Sequence, residues 1–310
     1  MGAPRRKKRF QNLEPIEHAK PAAVLKWGIT RKPGPWRRIE AAPGPAPAER
    51  VGDLRVTHVN HSTVLVQIAG LNVLTDPIWS ERCSPVPFAG PRRYRAPGLH
   101  FEDLPPIDLV LLSHDHYDHL DVPTLERLAS HRPRVVTGLG NGPIVRRCGL
   151  EVAELDWWER VDHRGVRAHF VPAQHFSGRG LRDRDQTLWG GFVIESEAGS
   201  VYFAGDTGWG GFVAEIRRRL GRPRLALLPI GGYLPRWFMG GVHISPAEAV
   251  KVHETLGAAT SVAIHYGCFR LADEAMDQCE AELKEASRGR DDLRFWVIPH
   301  GEGRDIPPAR

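Results

Sequence analysis

The sequence lacks long apolar runs. Its longest apolar runs, such as IDLVLL and LALLPI, are far shorter than the ~20 apolar residues that a membrane-spanning helix needs. The basic start MGAPRRKKRF is followed by QNLEPIEHAKP where a secretory signal would be apolar, and residue 6 is Arg where myristoylation needs Ser or Thr. We therefore expect a cytoplasmic chain, either in solution or peripheral to the inner face of a membrane.

Cysteine is also scarce. The four cysteines are scattered without any C-x-x-C spacing, at Cys83, Cys148, Cys268 and Cys279. This spacing is typical neither of a disulfide framework nor of a cysteine zinc site. We expect four free thiols.

The sequence has fewer acidic than basic residues. It contains 37 Asp and Glu and 42 Lys and Arg, which gives a net charge of +5. Much of the excess lies in RRKKR, residues 5–9. Such a run is typical of a solvated tail, although it could also touch phospholipid or nucleic acid. Residues 1–50 are rich in Pro, Ala and Arg and can bury little, so we predict an irregular arm there and one domain over residues 51–310.

The order of predicted elements indicates a layered α/β domain. Short β-branched runs separated by turn residues predict strands at LRVTHV, STVLVQIAG and LNVLTD. Helices and strands then alternate, with helices predicted at VPTLERLAS after a capping Asp121, and at FVAEIRRRL, SPAEAVKVHETLG and DEAMDQCEAELKEA. In the third of these, Ser245 and Glu248 form a capping box around Pro246. This order favours a fold in which helices cover the outer faces of the sheets.

The stretch SHDHYDHLD, residues 113–121, concentrates ionisable side chains directly after the apolar run IDLVLL. It contains the pattern H-x-H-x-D-H, formed by His114, His116, Asp118 and His119. Nitrogen and oxygen ligands that turn toward one point after a strand suit a divalent cation, above all Zn²⁺. A merely solvated polar loop would not be expected to hold four potential ligands in six residues.

Three further strand ends supply groups of the same kind. FVPAQH ends in His175, VYFAGDTG contains Asp206 between small residues, and VAIHYG contains His265. A single histidine at a strand end is more often a hydrogen-bonded packing residue. The recurrence of such groups after apolar strands favours a shared metal site.

These residues resemble the ligand pattern of the metallo-β-lactamase superfamily. The resemblance implies a four-layer αβ/βα sandwich with the ligands on loops at one edge of two facing sheets, and two divalent ions, with Zn²⁺ expected. It assigns His114, His116 and His175 to one ion. Asp118, His119 and His265 would hold the other, with Asp206 bridging both.

A narrower resemblance covers most of residues 55–303. The segments LTDPIWSERCSPVPFAGPRRYR, ELDWWE, PAQHFSGRGLRDRDQTLWGGF, PIGGYLPRWFM, HISPAEAV and AIHYGCFRLADE are similar to those of phospholipases D that hydrolyse N-acylphosphatidylethanolamine. This implies cleavage of a phosphodiester to phosphatidic acid and an N-acylethanolamine. Asp118 and His243 are then the candidate catalytic residues, with His243 at the substrate phosphate or the leaving group.

A lipid substrate also needs an apolar wall. Trp237, Phe238 and Met239 form an unusually apolar loop, and Arg236 beside them could pair with phosphate. Other apolar or cationic residues near the motifs are weaker candidates, since most aromatic residues belong to a core: Trp79, Phe88, Arg92, Arg93, Phe176, Leu181, Trp209 and Phe212.

Three other functions compete with this hypothesis. A cytoplasmic lactonase or another small-molecule metallo-hydrolase would share the ligands without needing the apolar loops. A nuclease is disfavoured because no large insertion separates Asp206 from His265 and no basic–aromatic interleaving is present, so we expect no nucleic-acid partner. A non-enzymatic membrane scaffold would be expected to have a broken ligand set. The sequence leaves open the head group, the acyl chain and the metal, and a homodimer is one option for the oligomeric state.

Overall fold

The structure, a computed structural model, describes residues 2–16, 21–180 and 182–309. Within these residues the strands, in chain order, are β1 (Arg5–Arg6), β2 (Arg9–Phe10), β3 (Leu54–Asn60), β4 (Thr63–Ile68), β5 (Leu71–Thr75), β6 (Leu109–Leu112), β7 (Arg134–Gly138), β8 (Glu151–Leu155), β9 (Arg160–His163), β10 (Val166–Val171), β11 (Gly191–Ser196), β12 (Gly199–Phe203), β13 (Leu225–Pro229), β14 (Thr260–Ile264), β15 (Phe295–Trp296) and β16 (Gly303–Asp305). The α-helices are α1 (Pro21–Thr30), α2 (Val122–Leu128), α3 (Gly142–Arg147), α4 (Phe212–Leu220), α5 (Arg236–Met239), α6 (Pro246–Leu256) and α7 (Gln278–Ala286). Two short 3₁₀ helices span Phe101–Asp103 and Ala129–His131.

Two seven-stranded sheets form the centre of the molecule. Their strand orders are β16-β3-β4-β5-β6-β7-β8 and β15-β14-β13-β12-β11-β10-β9. Each sheet is antiparallel over its hairpin-connected strands and parallel beyond β5 or β12, where helices connect the strands. Strands that are covered on both faces carry almost uninterrupted apolar residues, as LALLP in β13 illustrates.

The two sheets face each other across a shared apolar core. Val66 and Leu111 from one sheet belong to the same buried cluster as Phe170, Phe203 and Leu227 from the other. Helices α2 and α3 cover the outer face of the first sheet, and α4, α6 and α7 cover the second. This arrangement confirms the predicted four-layer αβ/βα sandwich.

Several predicted elements are found at their expected positions. Helix α4 coincides with FVAEIRRRL, and α6 begins with the predicted capping box, in which Ser245 Oγ accepts from Glu248 N and Ser245 N donates to Glu248. Asp121 precedes α2 as predicted, but its carboxylate binds Ser80 and Thr124 instead of capping the helix. All four cysteines are free and buried, which confirms the expectation of thiols.

The first fifty residues contain more regular structure than the composition predicts. They include the β1–β2 hairpin and helix α1, and both are held by long-range contacts that composition does not reveal. Phe10 is buried in the main core, and Trp27 of α1 stacks on Phe238 of α5 with ring centroids 5.0 Å apart. The domain boundary at residue 50 stays a prediction. None of the described helices is long and apolar enough to cross a membrane.

Candidate metal centre

The candidate ligands follow strands that end at the same edge of the two sheets. Residues 113–121 follow β6, and His175, Asp206 and His265 follow β10, β12 and β14. The approach of these loops is close: a Cβ on Gly205, which has φ +60°, would lie 2.6 Å from Ser113 Cβ. Only glycine fits there, and it allows the loop of Asp206 to lie against the loop of His114.

One group of imidazoles consists of His114, His116 and His175. His116 Nδ1 lies 2.8 Å from His114 Nε2 and 3.3 Å from His175 Nε2. The opposite nitrogens of two of these rings are held by acceptors, because His114 Nδ1 donates to Ser113 Oγ at 2.9 Å and His175 Nδ1 donates to Val242 O at 3.0 Å. Such partners orient a ring and leave its other nitrogen as an electron-pair donor.

A second group consists of Asp118, His119 and His265. Asp118 Oδ2 lies 3.2 Å from His119 Nε2 and 3.4 Å from His265 Nε2. His119 Nδ1 donates to Asp76 Oδ2 at 2.6 Å, which turns its Nε2 toward the group. The three side chains and His61 are close enough for one cation to contact them all.

Asp206 lies between the two groups. Its Oδ2 is 3.2 Å from both His119 Nε2 and His265 Nε2, and 3.8 Å from His175 Nε2. A single carboxylate therefore faces ligands of both groups, as a bridging residue would. The structure thus brings together all seven residues that the sequence singled out as ligands.

Burial keeps the first group of imidazoles neutral, whereas neighbouring charges decide the charge of Asp206. It lowers the pKa of His116 to about 4 and that of His175 to about 3, and it also holds the pKa of His114 well below the usual value. Burial alone would raise the pKa of Asp206, but His119 and His265 outweigh it and hold that pKa well below the usual range. Against the effect of burial, the carboxylates of the centre raise the pKa of His119 well above the usual value and that of His265 to about 9, so these two rings would have to lose a proton when a cation binds, whereas the first group is already neutral.

Several polar atoms in the centre are buried without a well-aligned hydrogen bond. His119 Nε2, His265 Nε2 and Asp206 Oδ1 make no such bond with the described residues, although both nitrogens lie 3.2 Å from Asp206 Oδ2. Buried polar groups normally find a partner, so this pattern fits a bound cation. His265 and Asp76 also have positive φ, +60° and +31°, a strained backbone state that concentrates at functional sites.

Two residues that the sequence analysis missed support the centre. His61 follows β3 with φ +45° and donates from Nε2 to Asp118 Oδ2 at 2.9 Å. Asp76 follows β5 and accepts from Ser113 as well as from His119. The available signal was their place after apolar strands, in NHST and LTDP.

His243 lies at the border of the centre. Its Nδ1 is 3.9 Å from Asp206 Oδ2 and makes no hydrogen bond with the described residues. With His175 and Asp206 it forms a third group that is compact enough for a cation. The predicted role beside the ligands therefore competes with a role as a ligand.

The predicted substrate residues occupy different environments. Trp237 is 53% exposed, and Phe238 and Met239 are partly buried beside it on α5. Arg236 is already engaged, since its guanidinium pairs with both Glu248 oxygens at 2.9 Å and donates to His243 O at 2.9 Å. It supports the segment that carries His243, and contact with substrate stays a prediction.

The other cationic and aromatic candidates are also partly engaged. Arg93 is buried against the carbonyls of Ile78 and Ser80, and Arg92 pairs with Glu81. Phe176 packs edge-on against His116, with ring centroids 4.6 Å apart. Leu181 lies outside the described residues.

Known proteins resemble this chain in sequence and in fold. A family model described as a beta-lactamase superfamily domain matches residues 71–266. The chain is 38% identical over 266 residues to "N-acyl-phosphatidylethanolamine-hydrolyzing phospholipase D 1" of Caenorhabditis elegans, covering 80% of this chain and 75% of that protein. It is 30% identical over 254 residues to a metal-dependent hydrolase of Methanopyrus kandleri, covering 80% and 98% of the two chains.

A solved structure shares the fold. The isothiocyanate hydrolase from Delia radicum gut bacteria superposes with a TM-score of 0.65 at 22% identity, covering 81% of this chain and 98% of that one. At this identity the likeness concerns the fold alone. The family match and the two relatives establish that the chain belongs to the metallo-β-lactamase superfamily, as a metal-dependent hydrolase of the branch that includes the N-acyl-phosphatidylethanolamine-hydrolysing phospholipases D.

Proposed function

We propose that the chain is a phosphodiesterase of the phospholipase D type, with N-acylphosphatidylethanolamine as its substrate. The observation that carries the proposal is the position of Asp206, whose Oδ2 faces ligands of both groups. The similarity to the C. elegans phospholipase D supports the substrate class.

The proposed cofactor is a pair of divalent ions, with Zn²⁺ expected because the ligands are imidazole and carboxylate. His114, His116 and His175 would hold one ion, Asp118, His119 and His265 would hold the other, and Asp206 would contribute to both. When bound, such a pair supplies a nucleophile from water and stabilises the negative charge that develops on a phosphate. A phosphodiester fits this chemistry because its non-bridging oxygens are already anionic.

The chain's own side chains orient the reacting groups. Asp118 and His243 are the proposed catalytic residues, and the hydrogen bond from His61 fixes the Asp118 carboxylate in the centre. Burial lowers the pKa of His243 to about 3, so its imidazole is neutral at physiological pH. We assign its Nδ1 to contact with the phosphate or with the head-group oxygen.

In this reaction water adds across the bond between phosphorus and the head-group oxygen. The phosphorus gains the water oxygen and becomes phosphatidic acid, and the released oxygen takes a proton to give an N-acylethanolamine. Trp237, Phe238 and Met239 on α5 would contact the apolar chains. The proposed partners are a phospholipid and the surface of the membrane that contains it, with a cytoplasmic location. A homodimer stays a prediction, which light scattering can test.

The test is product identification with the metal-loaded protein. It would be offered N-acylphosphatidylethanolamine, other diacylglycerophospholipids, soluble phosphodiesters and lactones in ¹⁸O-labelled water, and the products would be analysed by mass spectrometry. We expect ¹⁸O in phosphatidic acid and none in the N-acylethanolamine, because attack occurs at phosphorus.

Two outcomes would overturn the proposal. Label in a released fatty acid would show attack at an ester carbonyl. Rapid opening of lactones with no turnover of any phospholipid would favour the small-molecule metallo-hydrolase instead.

A further inference from the structure

Helix α1 has its apolar side turned toward solvent. Val24, Leu25 and Ile29 are 49%, 64% and 74% exposed, and at about 100° per residue they share one side of the helix. We refer to these three residues as the apolar face of α1. A helix on the surface of a globular protein normally packs its apolar face against the core.

The opposite side of α1 is firmly attached to the rest of the molecule. Trp27 Nε1 donates to Asp273 Oδ2 at 2.9 Å, and its ring stacks on Phe238. Arg31, directly after the helix, donates from Nε to Asp273 Oδ1 at 3.1 Å. The apolar face is therefore held outward by contacts on the opposite side.

Helix α1 is connected to the border of the metal centre through α5. Phe238, on which Trp27 stacks, belongs to α5, and Arg236 at the start of α5 donates to the carbonyl of His243. Exposed apolar side chains concentrate here: of the six large ones among the described residues, five are on the arm or on α5, at Leu13, Val24, Leu25, Ile29 and Trp237.

The segment before α1 follows the same edge of the sandwich. Asn12 Nδ2 donates to His175 O at 2.8 Å, and Asn12 Oδ1 accepts from His175 N at 3.0 Å. Glu14 accepts from the backbone of Gly211, in the loop that continues from Asp206. Residues 2–16 thus run beside two of the loops that carry candidate ligands.

The charge of the arm complements an anionic surface. All five residues of the basic run, Arg5 to Arg9, are exposed on the β1–β2 hairpin. Lys26 lies on α1, with its Nζ 4.9 Å from the centre of the Trp237 ring. A basic residue on an apolar helix, here Lys26, together with further exposed basic residues in the same arm, is the combination that binds the interface of a membrane with anionic lipids.

We propose that the apolar face of α1 docks on a phospholipid bilayer that contains anionic lipid. Docking places α5 and the metal centre at the membrane surface, so that a lipid can reach the centre past Trp237. The route of the substrate rests on the proposed function, whereas the docking itself follows from the arm.

The test is sedimentation of the full chain with vesicles that contain no substrate. Vesicles of phosphatidylcholine with phosphatidylglycerol would be compared with vesicles of phosphatidylcholine alone. We expect stronger binding to the former, and a loss of about tenfold or more in partitioning for the double variant Leu25→Ser with Ile29→Ser. The matched variant Leu25→Ile with Ile29→Leu keeps the face apolar and should bind as the wild type does.

A second pair of variants isolates the charge. Lys7→Glu with Lys8→Glu should weaken binding to the anionic vesicles, whereas Lys284→Glu with Arg288→Glu changes the charge equally on exposed residues in and after α7 and should not. Circular dichroism and hydrolysis of a soluble phosphodiester should stay at wild-type values for all four double variants.

Unchanged vesicle binding by the Leu25→Ser, Ile29→Ser variant would overturn the proposal. So would light scattering that shows a dimer becoming a monomer in this variant while vesicle binding persists, since the face would then be a subunit contact. Vesicle binding that behaves as expected, without hydrolysis of any phospholipid, would instead count against the proposed function and leave the docking intact.

Discussion

At the scale of single residues, the centre depends on which nitrogen of each imidazole faces inward. His114 and His119 both donate from Nδ1, one to Ser113 and the other to Asp76, and so present Nε2. Ser113 in turn donates to Asp76, which links the two rings through one carboxylate. Such outer partners hold ligands in place before a cation binds.

Replacement of Asp206 by Ala should remove both ions and nearly all activity. Asp206 is the residue that faces both groups, and without it each cation would be left with three of the proposed ligands. Elemental analysis after gentle purification measures the result, with two ions per chain expected for the wild type.

Asp115→Ala is the matched control for this substitution. Its carboxylate is buried in the same loop as the ligands but accepts from Gly178 N and Thr187 Oγ1. The variant should be less stable and yet keep its metal. Two ions retained by the Asp206 variant would show that the bridging role is wrong.

The free energy of unfolding of the metal-free protein should decrease as the pH rises from about 6.5 to 9. Burial tends to lower the pKa of His265, but Asp206 and Asp118 outweigh it and raise that pKa to about 9 in the metal-free centre. A histidine whose pKa is raised by folding stabilises the protein below its unfolded pKa of about 6.5, and this contribution is lost as the pH approaches 9.

Melting temperatures of the metal-free and metal-loaded protein across this range measure the effect. His265 must be neutral to bind a cation, so the loaded form should vary less with pH. The metal-free His265→Asn variant should show a weaker dependence of melting temperature on pH than the metal-free wild type. Parallel curves for the free and loaded wild type would contradict the assignment of His265.

The candidate ligands could be singled out from the sequence because groups of suitable type follow four apolar strands, whereas their division between two ions was implied by the family resemblance. Asp76 and His61 could not be singled out, since each is a single polar residue in a loop. Their role arises from the order of strands, which places β5 beside β6 and the β3–β4 hairpin beside β5, and so brings both residues to the stretch at residues 113–121.

At the scale of elements, α5 and α6 flank His243 at the border of the centre. The start of α6 was predictable because its capping box is local, with Ser245 and Glu248 three residues apart. Helix α5 was not, because its four residues are held by Glu248 and by Trp27, which are remote in sequence. Glu248 therefore caps one helix and anchors the other.

His243→Ala should leave the metal content intact and lower turnover, since we place this residue outside the ligand set. His253→Ala is a matched control on α6, because its Nδ1 hydrogen-bonds Ser261 Oγ at 2.7 Å in a buried position. Elemental analysis together with kcat separates the two roles. Loss of metal from the His243 variant alone would make it a ligand.

Trp237→Ala should weaken hydrolysis of long-chain phospholipid by about tenfold and hardly alter hydrolysis of a short soluble phosphodiester. The missing ring removes apolar contact area at about 25 cal/mol per Å², whereas the reacting groups are unchanged. The ratio of the two kcat/KM values isolates lipid recognition.

Trp296→Ala, on the edge strand β15, is the matched control and should keep the wild-type ratio. Equal loss of both activities in the Trp237 variant would mean that α5 supports the centre rather than the lipid.

At the scale of the whole molecule, the sandwich and the arm differ in how far the sequence could predict them. Alternating buried strands and amphipathic helices specify layers, so the fold was accessible. The arm is held by isolated contacts such as Asn12 with His175 and Trp27 with Asp273, which lie 163 and 246 residues apart in sequence. The periodicity of apolar residues in a sequence does not predict single long-range contacts of this kind.

The most direct test of the central claim is a metal titration of the metal-free protein, followed by its activity on N-acylphosphatidylethanolamine. We expect hydrolysis to phosphatidic acid and an N-acylethanolamine that reaches its plateau at two Zn²⁺ per chain, because both groups must be filled around Asp206. A plateau at one ion, or no hydrolysis of this lipid with two ions bound, would contradict a dinuclear phospholipase D.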